Sequence, residues 1–206
     1  MIAKKWKIDY NHSMRFINAK FIKSASKKEE FICDELPQIA IVGRSNVGKS
    51  SLINLLTNNS KMAKTSSTPG RTRLVNYFNI NNQVYLVDLP GYGFAKASKN
   101  IVGAWDSVMN DYFVNNSKLK LVMVLLDCRL MPTQQDIAML DFLAENEIPA
   151  VIILTKTDKI TRSELNNNKA KISSMLRFNK DMIIATSANK KVGVEQIGAF
   201  VDEYIK

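Results

Sequence analysis

The sequence predicts an α/β fold: a mostly parallel six-stranded sheet, flanked by helices on both faces to give three layers. Two observations carry that expectation. From Leu36 onward short apolar runs alternate with amphipathic segments, and the runs Ile39–Val42, Leu119–Leu126 and Val151–Leu154 are continuously apolar rather than alternating. Strands that are apolar on both sides belong in a sheet covered on both faces.

The elements follow in order. Phe16–Lys23 alternates well enough for a short strand at a sheet edge. Ile39–Val42 is a buried strand and Lys49–Leu56 a helix. Leu74–Ile80 and Val84–Val87 are two strands joined at Asn81-Asn82, a hairpin-like turn. Ile101–Phe113 reads as a helix, with Trp105, Val108, Met109 and Tyr112 on its buried side. Thr133 caps the next helix, with Asp136 at the capping-box position, and that helix runs to about Glu145. Thr161 and Glu164 form a second capping box, opening a helix to about Phe178. Met182–Thr186 is the last strand and Val194–Ile205 the last helix.

At 206 residues the chain fits one domain with an arm. Residues 1–35 read as a basic extension packed on the domain, and residues 36–206 as the domain itself. Two cysteines, Cys33 and Cys128, form no framework, and a single histidine, His12, excludes multi-histidine metal sites. Cys33 is expected at the surface and Cys128 inside. The formal net charge is +10, and residues 1–28 contribute +7 of it, with eight basic residues against Asp9. That charge suits a polyanionic partner. The longest apolar run, Leu121–Leu126, is far short of the ~20 residues that span a bilayer. No secretory leader pattern opens the chain, so the expected location is cytoplasmic, without stable membrane insertion.

The chemistry begins where Ile39–Val42 runs into Gly43, Arg44, Ser45, Asn46, Val47, Gly48, Lys49 and Ser50, a GxxxxGKS string with a strand before it and a helix after. Chance gives such a string in roughly 1% of chains this size, and the strand–helix context lowers that. Gly43 and Gly48 let the backbone fold around a phosphate, so that successive N–H groups form an anion nest at a helix N-terminus. Lys49 reaches the β- and γ-phosphates, and the Ser50 hydroxyl ligates Mg²⁺.

Asp88, Leu89, Pro90 and Gly91 follow the strand Val84–Val87. An aspartate at a strand's C-terminal end holds Mg²⁺ through water, and Gly91 can offer its N–H to a γ-phosphate. Thr155, Lys156, Thr157 and Asp158 follow the strand Val151–Leu154. The Asp158 carboxylate can accept both the N1–H and the exocyclic N2–H of guanine, a donor pair adenine lacks. The Lys156 stem can cover the base, and backbone N–H groups of Ser187, Ala188 and Asn189 can meet guanine O6. Between them, 60–73 is polar and carries Pro69-Gly70. A hydroxyl there can complete the Mg²⁺ shell when a γ-phosphate is bound and release it afterwards. Thr72 is the first choice, with Thr65 and Thr68 as competitors.

GRSNVGKSSLIN at 43–54, PGRT at 69–72, DLPGYGFAK at 88–96, TKTD at 155–158 and SAN at 187–189 stand in the order of five guanine-nucleotide motifs. Together they resemble the EngB (YihA, YsxC) family of small bacterial GTPases along essentially the whole chain. The resemblance implies a Ras-like P-loop GTPase fold and nucleotide contacts from the motifs named above. It extends those contacts to Gly70, Arg71, Thr72, Arg73 and Leu74 and to Thr186, Ser187 and Ala188. It implies Mg²⁺ at Ser50, Thr72 and Asp88, binding to the large ribosomal subunit during assembly, and a link to cell division and septation. A monomer is expected.

Ras-like enzymes orient the attacking water with a glutamine after the DxxG glycine. Here that residue is Tyr92, so intrinsic hydrolysis should be slow. Asn46 offers a compensation, because in related GTPases an asparagine there coordinates K⁺; a ribosomal partner is the other source. The expected catalytic set is Lys49, Thr72, Gly91 and Asn46. Competing readings are a membrane- or division-associated GTPase that does not act on ribosomes, an RNA-binding module with a vestigial site, and an ATPase or nucleotide kinase.

Overall fold

A computed structural model describes residues 13–63, 74–92, 107–114 and 116–206. Seven strands form one sheet: β1 (Ala19–Ala25), β2 (Gln38–Gly43), β3 (Val75–Ile80), β4 (Val84–Asp88), β5 (Leu119–Asp127), β6 (Ala150–Thr155) and β7 (Ile183–Ala185). Their spatial order is β1-β3-β4-β2-β5-β6-β7. Pairing is parallel from β4 through β2, β5 and β6 to β7, while β3 runs antiparallel to both its neighbours. The six expected domain strands are all present, and the expected edge strand joins them as the seventh.

The helices are α1 (Lys49–Leu56), α2 (Ser107–Phe113), α3 (Gln134–Glu145), α4 (Arg162–Met175) and α5 (Val194–Ile205). Strand alternation assigns the two faces. Ile39 and Ile41 of β2 point toward α1 and α5, where they pack with Leu52, Ile53, Ile197 and Phe200. Ala40 and Val42 point the other way, toward Met109 and Tyr112 of α2 and Met139 and Leu143 of α3. Farther along that second face, Ile152 and Leu154 of β6 meet Ile172 of α4. Burial on both faces is why β2, β5 and β6 read as continuous apolar runs.

Several boundaries differ from expectation, each for a local reason. Strand β1 starts at Ala19 rather than Phe16, because Met14 and Phe16 leave the sheet edge and enter the core beside α5. Its register also slips between Phe21 and Lys23, so the strand's own alternation is broken at Ile22. Helix α4 stops at Met175, where Arg177 turns left-handed (φ 48°) and the Phe178 N–H bonds back to the Ser173 carbonyl. Met182 belongs to a 3₁₀ turn ahead of β7. The Asn81-Asn82 turn is as expected: both residues are left-handed (φ 57° and 56°), as a tight hairpin requires. Both capping boxes form, with Thr133 bonded to Asp136 and Thr161 to Glu164. Cys33 is exposed and Cys128 buried, as expected; burial pushes the Cys128 thiol up to about 11, which keeps it protonated and unreactive. Met109 and Tyr112 are core residues. His12, Trp105, residues 101–106 of the expected helix and residues 64–73 lie outside the described residues. Among the described residues, no helix is long and apolar enough to cross a membrane.

Candidate nucleotide site

Strands β2, β4, β6 and β7 end at the same rim of the sheet, the position where open parallel α/β sheets bind ligands. The phosphate loop leaves β2 there. A Cβ on Gly43 would stand 2.8 Å from Val47 Cγ1 and 3.0 Å from the Leu125 carbonyl oxygen, so only glycine lets the loop turn against β5. Gly48, at φ +117°, caps α1 and turns the chain into it. Lys49 and Ser50 open the helix, where its N–H groups and dipole favour an anion.

Asp88 closes β4, 8% exposed. Its Oδ1 has no hydrogen-bond partner among the described residues. Burial raises the Asp88 carboxyl above the ordinary range, opposed by the Lys49 ammonium and a hydrogen bond from Asn76, its register partner on β3. A buried, orphaned carboxylate oxygen beside a helix that begins Lys-Ser is what a hydrated Mg²⁺ would satisfy, and Ser50 is the second donor within the described residues. Leu89 and Pro90 are buried. Gly91 follows them close to Lys49: a Cβ there would lie 3.2 Å from Lys49 Nζ and 3.4 Å from the Ser45 nitrogen.

The base end is assembled from β6 and β7. Asp158 Oδ1 accepts from Ser187 Oγ at 2.8 Å, and Oδ2 accepts from Asn189 Nδ2 at 3.0 Å. The Ser187 bond, with Asn189 and against some burial, holds the Asp158 carboxyl below the usual range, so it is ionised. Thr157 bonds the Thr186 carbonyl through its N–H (3.2 Å) and hydroxyl (2.9 Å), locking the two motif loops together. Between them and the start of α1 lies a cleft of about 130 Å³, lined by Gly48, Ser51, Lys156, Asp158, Ala188 and Asn189 among others. Asp158 stands at its wall.

Lys156 links the two ends. Its backbone is left-handed (φ 61°), and its Nζ donates to the Asn46 carbonyl at 2.9 Å and pairs with Asp127 Oδ2 at 2.9 Å. Arg129 grips the same carboxylate through Nε (2.9 Å) and Nη2 (2.7 Å). Burial pushes the Asp127 carboxyl up, but the bonds from Arg129 and Lys156 outweigh it and hold the group well below the usual carboxylate range. Thr155 also lines the cleft, and its hydroxyl donates to the Val47 carbonyl (2.7 Å), so it braces the phosphate loop on β6.

The rim thus gathers residues 43–50, 88–91, 155–158 and 186–188. Leu74 is half-buried just ahead of β3, while Gly70, Arg71, Thr72 and Arg73 lie outside the described residues. Ser51, Asp127 and Arg129 are the neighbours that motif reading passed over. Asp127 carried a signal nonetheless: it is the charged residue that ends an apolar strand, in register with Thr155.

A GKS loop, a buried aspartate with an unpaired oxygen beside it and a carboxylate at the wall of the neighbouring cleft, on this sheet order, define a P-loop GTPase. The family model described as "50S ribosome-binding GTPase" matches residues 38–156. The "Probable GTP-binding protein EngB" of Mesoplasma florum is 45% identical over 183 residues, covering 88% of this chain and 92% of that one. That of Clostridium perfringens is 43% identical over 195 residues, covering 94% and 99%. A crystal structure titled as a probable GTP-binding protein engB superposes with a TM-score of 0.65 at 24% identity, over 82% of this chain and 98% of that one. The chain belongs to the EngB family of GTP-binding proteins.

Proposed function

We propose that this protein binds GTP with Mg²⁺ at the described rim and hydrolyses it slowly, as a conformational switch in assembly of the large ribosomal subunit. Asp158 carries the guanine part of the reading: a carboxylate held by Ser187 and Asn189 at the wall of a cleft beside the phosphate loop selects guanine over adenine. In this reading Lys49 neutralises the β- and γ-phosphates, and the Gly91 N–H meets the γ-phosphate. Ser50, Asp88 and Thr72 hold the metal, which would polarise the phosphoryl oxygens when bound. Residues 70–74 contribute further contacts to the nucleotide. Asn46, left-handed and exposed on the loop, offers its side chain to K⁺, and K⁺ or a ribosomal partner supplies the stimulation that Tyr92 does not.

The ribosomal part of the proposal is supported by the family description and by the +10 charge, concentrated toward the N-terminus. Action in the cytoplasm as a monomer, and a consequent effect on cell division and septation, belong to the same proposal. Co-sedimentation with purified large ribosomal subunits tests it, using a non-hydrolysable GTP analogue, GDP and an ATP analogue. Pelleting with the GTP analogue alone supports a nucleotide-gated assembly factor. Equal pelleting in every state reduces the interaction to charge, and no pelleting moves the membrane- or division-associated reading to the front.

A further inference from the structure

Tyr92 is where the guanine-nucleotide switch departs most from its Ras-like form, and its surroundings are built. The main chain after Gly91 lies directly on the phosphate loop: Tyr92 N–H donates to the Gly43 carbonyl and Ser45 N–H donates to the Tyr92 carbonyl, both at 3.3 Å. Arg44 and Tyr92 thereby form a short parallel bridge that extends the β2–β4 pairing past the ends of both strands. One N–H of the phosphate nest is therefore already used. Lys49 Nζ, which reaches for the outer phosphates, lies against Gly91.

The side chain fixes this arrangement from the other side. Tyr92 is 3% exposed, and its hydroxyl donates to Asp136 Oδ1 at 2.9 Å; Asp136 is itself 2% exposed. The other Asp136 oxygen accepts from the Thr133 N–H and hydroxyl at the start of α3. Burial and the Asp136 charge push the Tyr92 phenol well above its ordinary pKa, so it remains the donor. A phenol ring is rigid. With the ring buried, withdrawal of the Tyr92 main chain from Ser45 strains the hydroxyl contact with Asp136.

We infer that Tyr92, tethered by Asp136, is a specificity determinant for the third phosphate. It holds the DLPG turn against the phosphate loop between Lys49 and Ser45, where a γ-phosphate bound by Lys49 and Gly91 has to enter. A nucleoside triphosphate must displace that turn, and in doing so give up a buried hydroxyl–carboxylate bond. A nucleoside diphosphate leaves it intact. The tether therefore biases the protein toward GDP and returns the turn once the γ-phosphate has left. This inference rests on the guanine-nucleotide reading above.

The experiment is calorimetric titration of the full chain with GDP, with a non-hydrolysable GTP analogue and with the matching ATP analogue, all with Mg²⁺, for the wild type, Tyr92→Phe, Asp136→Asn and Thr133→Ala. Tyr92→Phe removes only the hydroxyl. A buried hydrogen bond of ordinary net strength corresponds to about a fivefold shift in affinity. The expected result is a gain of about that size for the GTP analogue, with GDP unchanged, and a gain in the same direction for Asp136→Asn. Thr133→Ala disturbs the other Asp136 oxygen and the α3 cap, and should leave the ratio unmoved. GDP binding reports that each variant is folded. An unchanged ratio in Tyr92→Phe, or the same change in Thr133→Ala, overturns the inference. If the wild type prefers ATP-type ligands, the guanine reading fails and takes this one with it.

Discussion

The two ends of the nucleotide site are built in opposite ways. At the base end the key side chains are held by protein partners: Asp158 by Ser187 and Asn189, Thr157 by Thr186, and Lys156 by Asp127 and Asn46. At the phosphate end the pairing is sparser. Asp88 keeps an orphaned buried oxygen, and Ser45 donates to a main-chain carbonyl rather than to an anion. A preorganised recognition site beside a conditional one is the division of labour a switch needs. Under the proposed function, the base supplies binding that is the same in both states, and the phosphates decide the state.

Perturbing each end should expose that division. The largest effect is expected from Lys49→Ala, which removes the loop's only lysine from the phosphates; losing one partner of such a charge pair costs about 3 kcal/mol, so affinity for GDP should fall more than 100-fold in a fluorescent-nucleotide titration. Asp127→Asn should weaken GDP about tenfold by loosening Lys156. Competition by pyrophosphate, which has no base, should then stay as in the wild type; an equal loss for both ligands would mean the two ends are not separable. Ser187→Ala should lower GDP affinity by about tenfold, since the ionised Asp158 loses one charge-assisted hydrogen bond.

Asp88→Asn gives the smallest change, and with the opposite sign. Because the folded-state pKa of Asp88 is raised, the folded protein binds more protons than the unfolded one between the ordinary carboxylate value and that raised value. Its ionisation therefore costs stability as pH rises through this window. Removing the charge should raise the Tm of the nucleotide-free protein at neutral pH by about 2–4 °C, for about 1 kcal/mol in a chain of this size. The same variant should lose Mg²⁺-dependent binding of the GTP analogue. A calorimetric scan showing a lower Tm would mean Asp88 is already satisfied without metal.

Most of this arrangement was legible because it is local. A glycine string between a strand and a helix, or an aspartate directly after an apolar run, specifies its own geometry, and parallel strands carry those ends to one rim. What escaped were contacts whose partners are far apart in sequence. Nothing in DLPGYG announces that Tyr92 reaches the N3 residue of a helix 44 positions on, and the Asp136 capping box gives a complete local reason for that carboxylate. Asp127 was hidden for the same reason, as one charge after a strand with its partner in another motif. The start of β1 was misplaced because a register slip at Ile22 and the diversion of Phe16 into the core both imitate alternation.

Gly198 sits in the middle of α5, where a Cβ would come within 2.3 Å of the Met14 carbonyl oxygen, and the Met14 N–H donates to the Gly198 carbonyl at 3.3 Å. Met14 and Phe16 bury themselves there with Ile197, Phe200 and Val201. Met14 and Phe16 are thus clasped by α5. As the polypeptide emerges, Met14 and Phe16 have no seat until α5 has formed. Burial of Met14 and Phe16 against α5 therefore joins segments more than 180 positions apart.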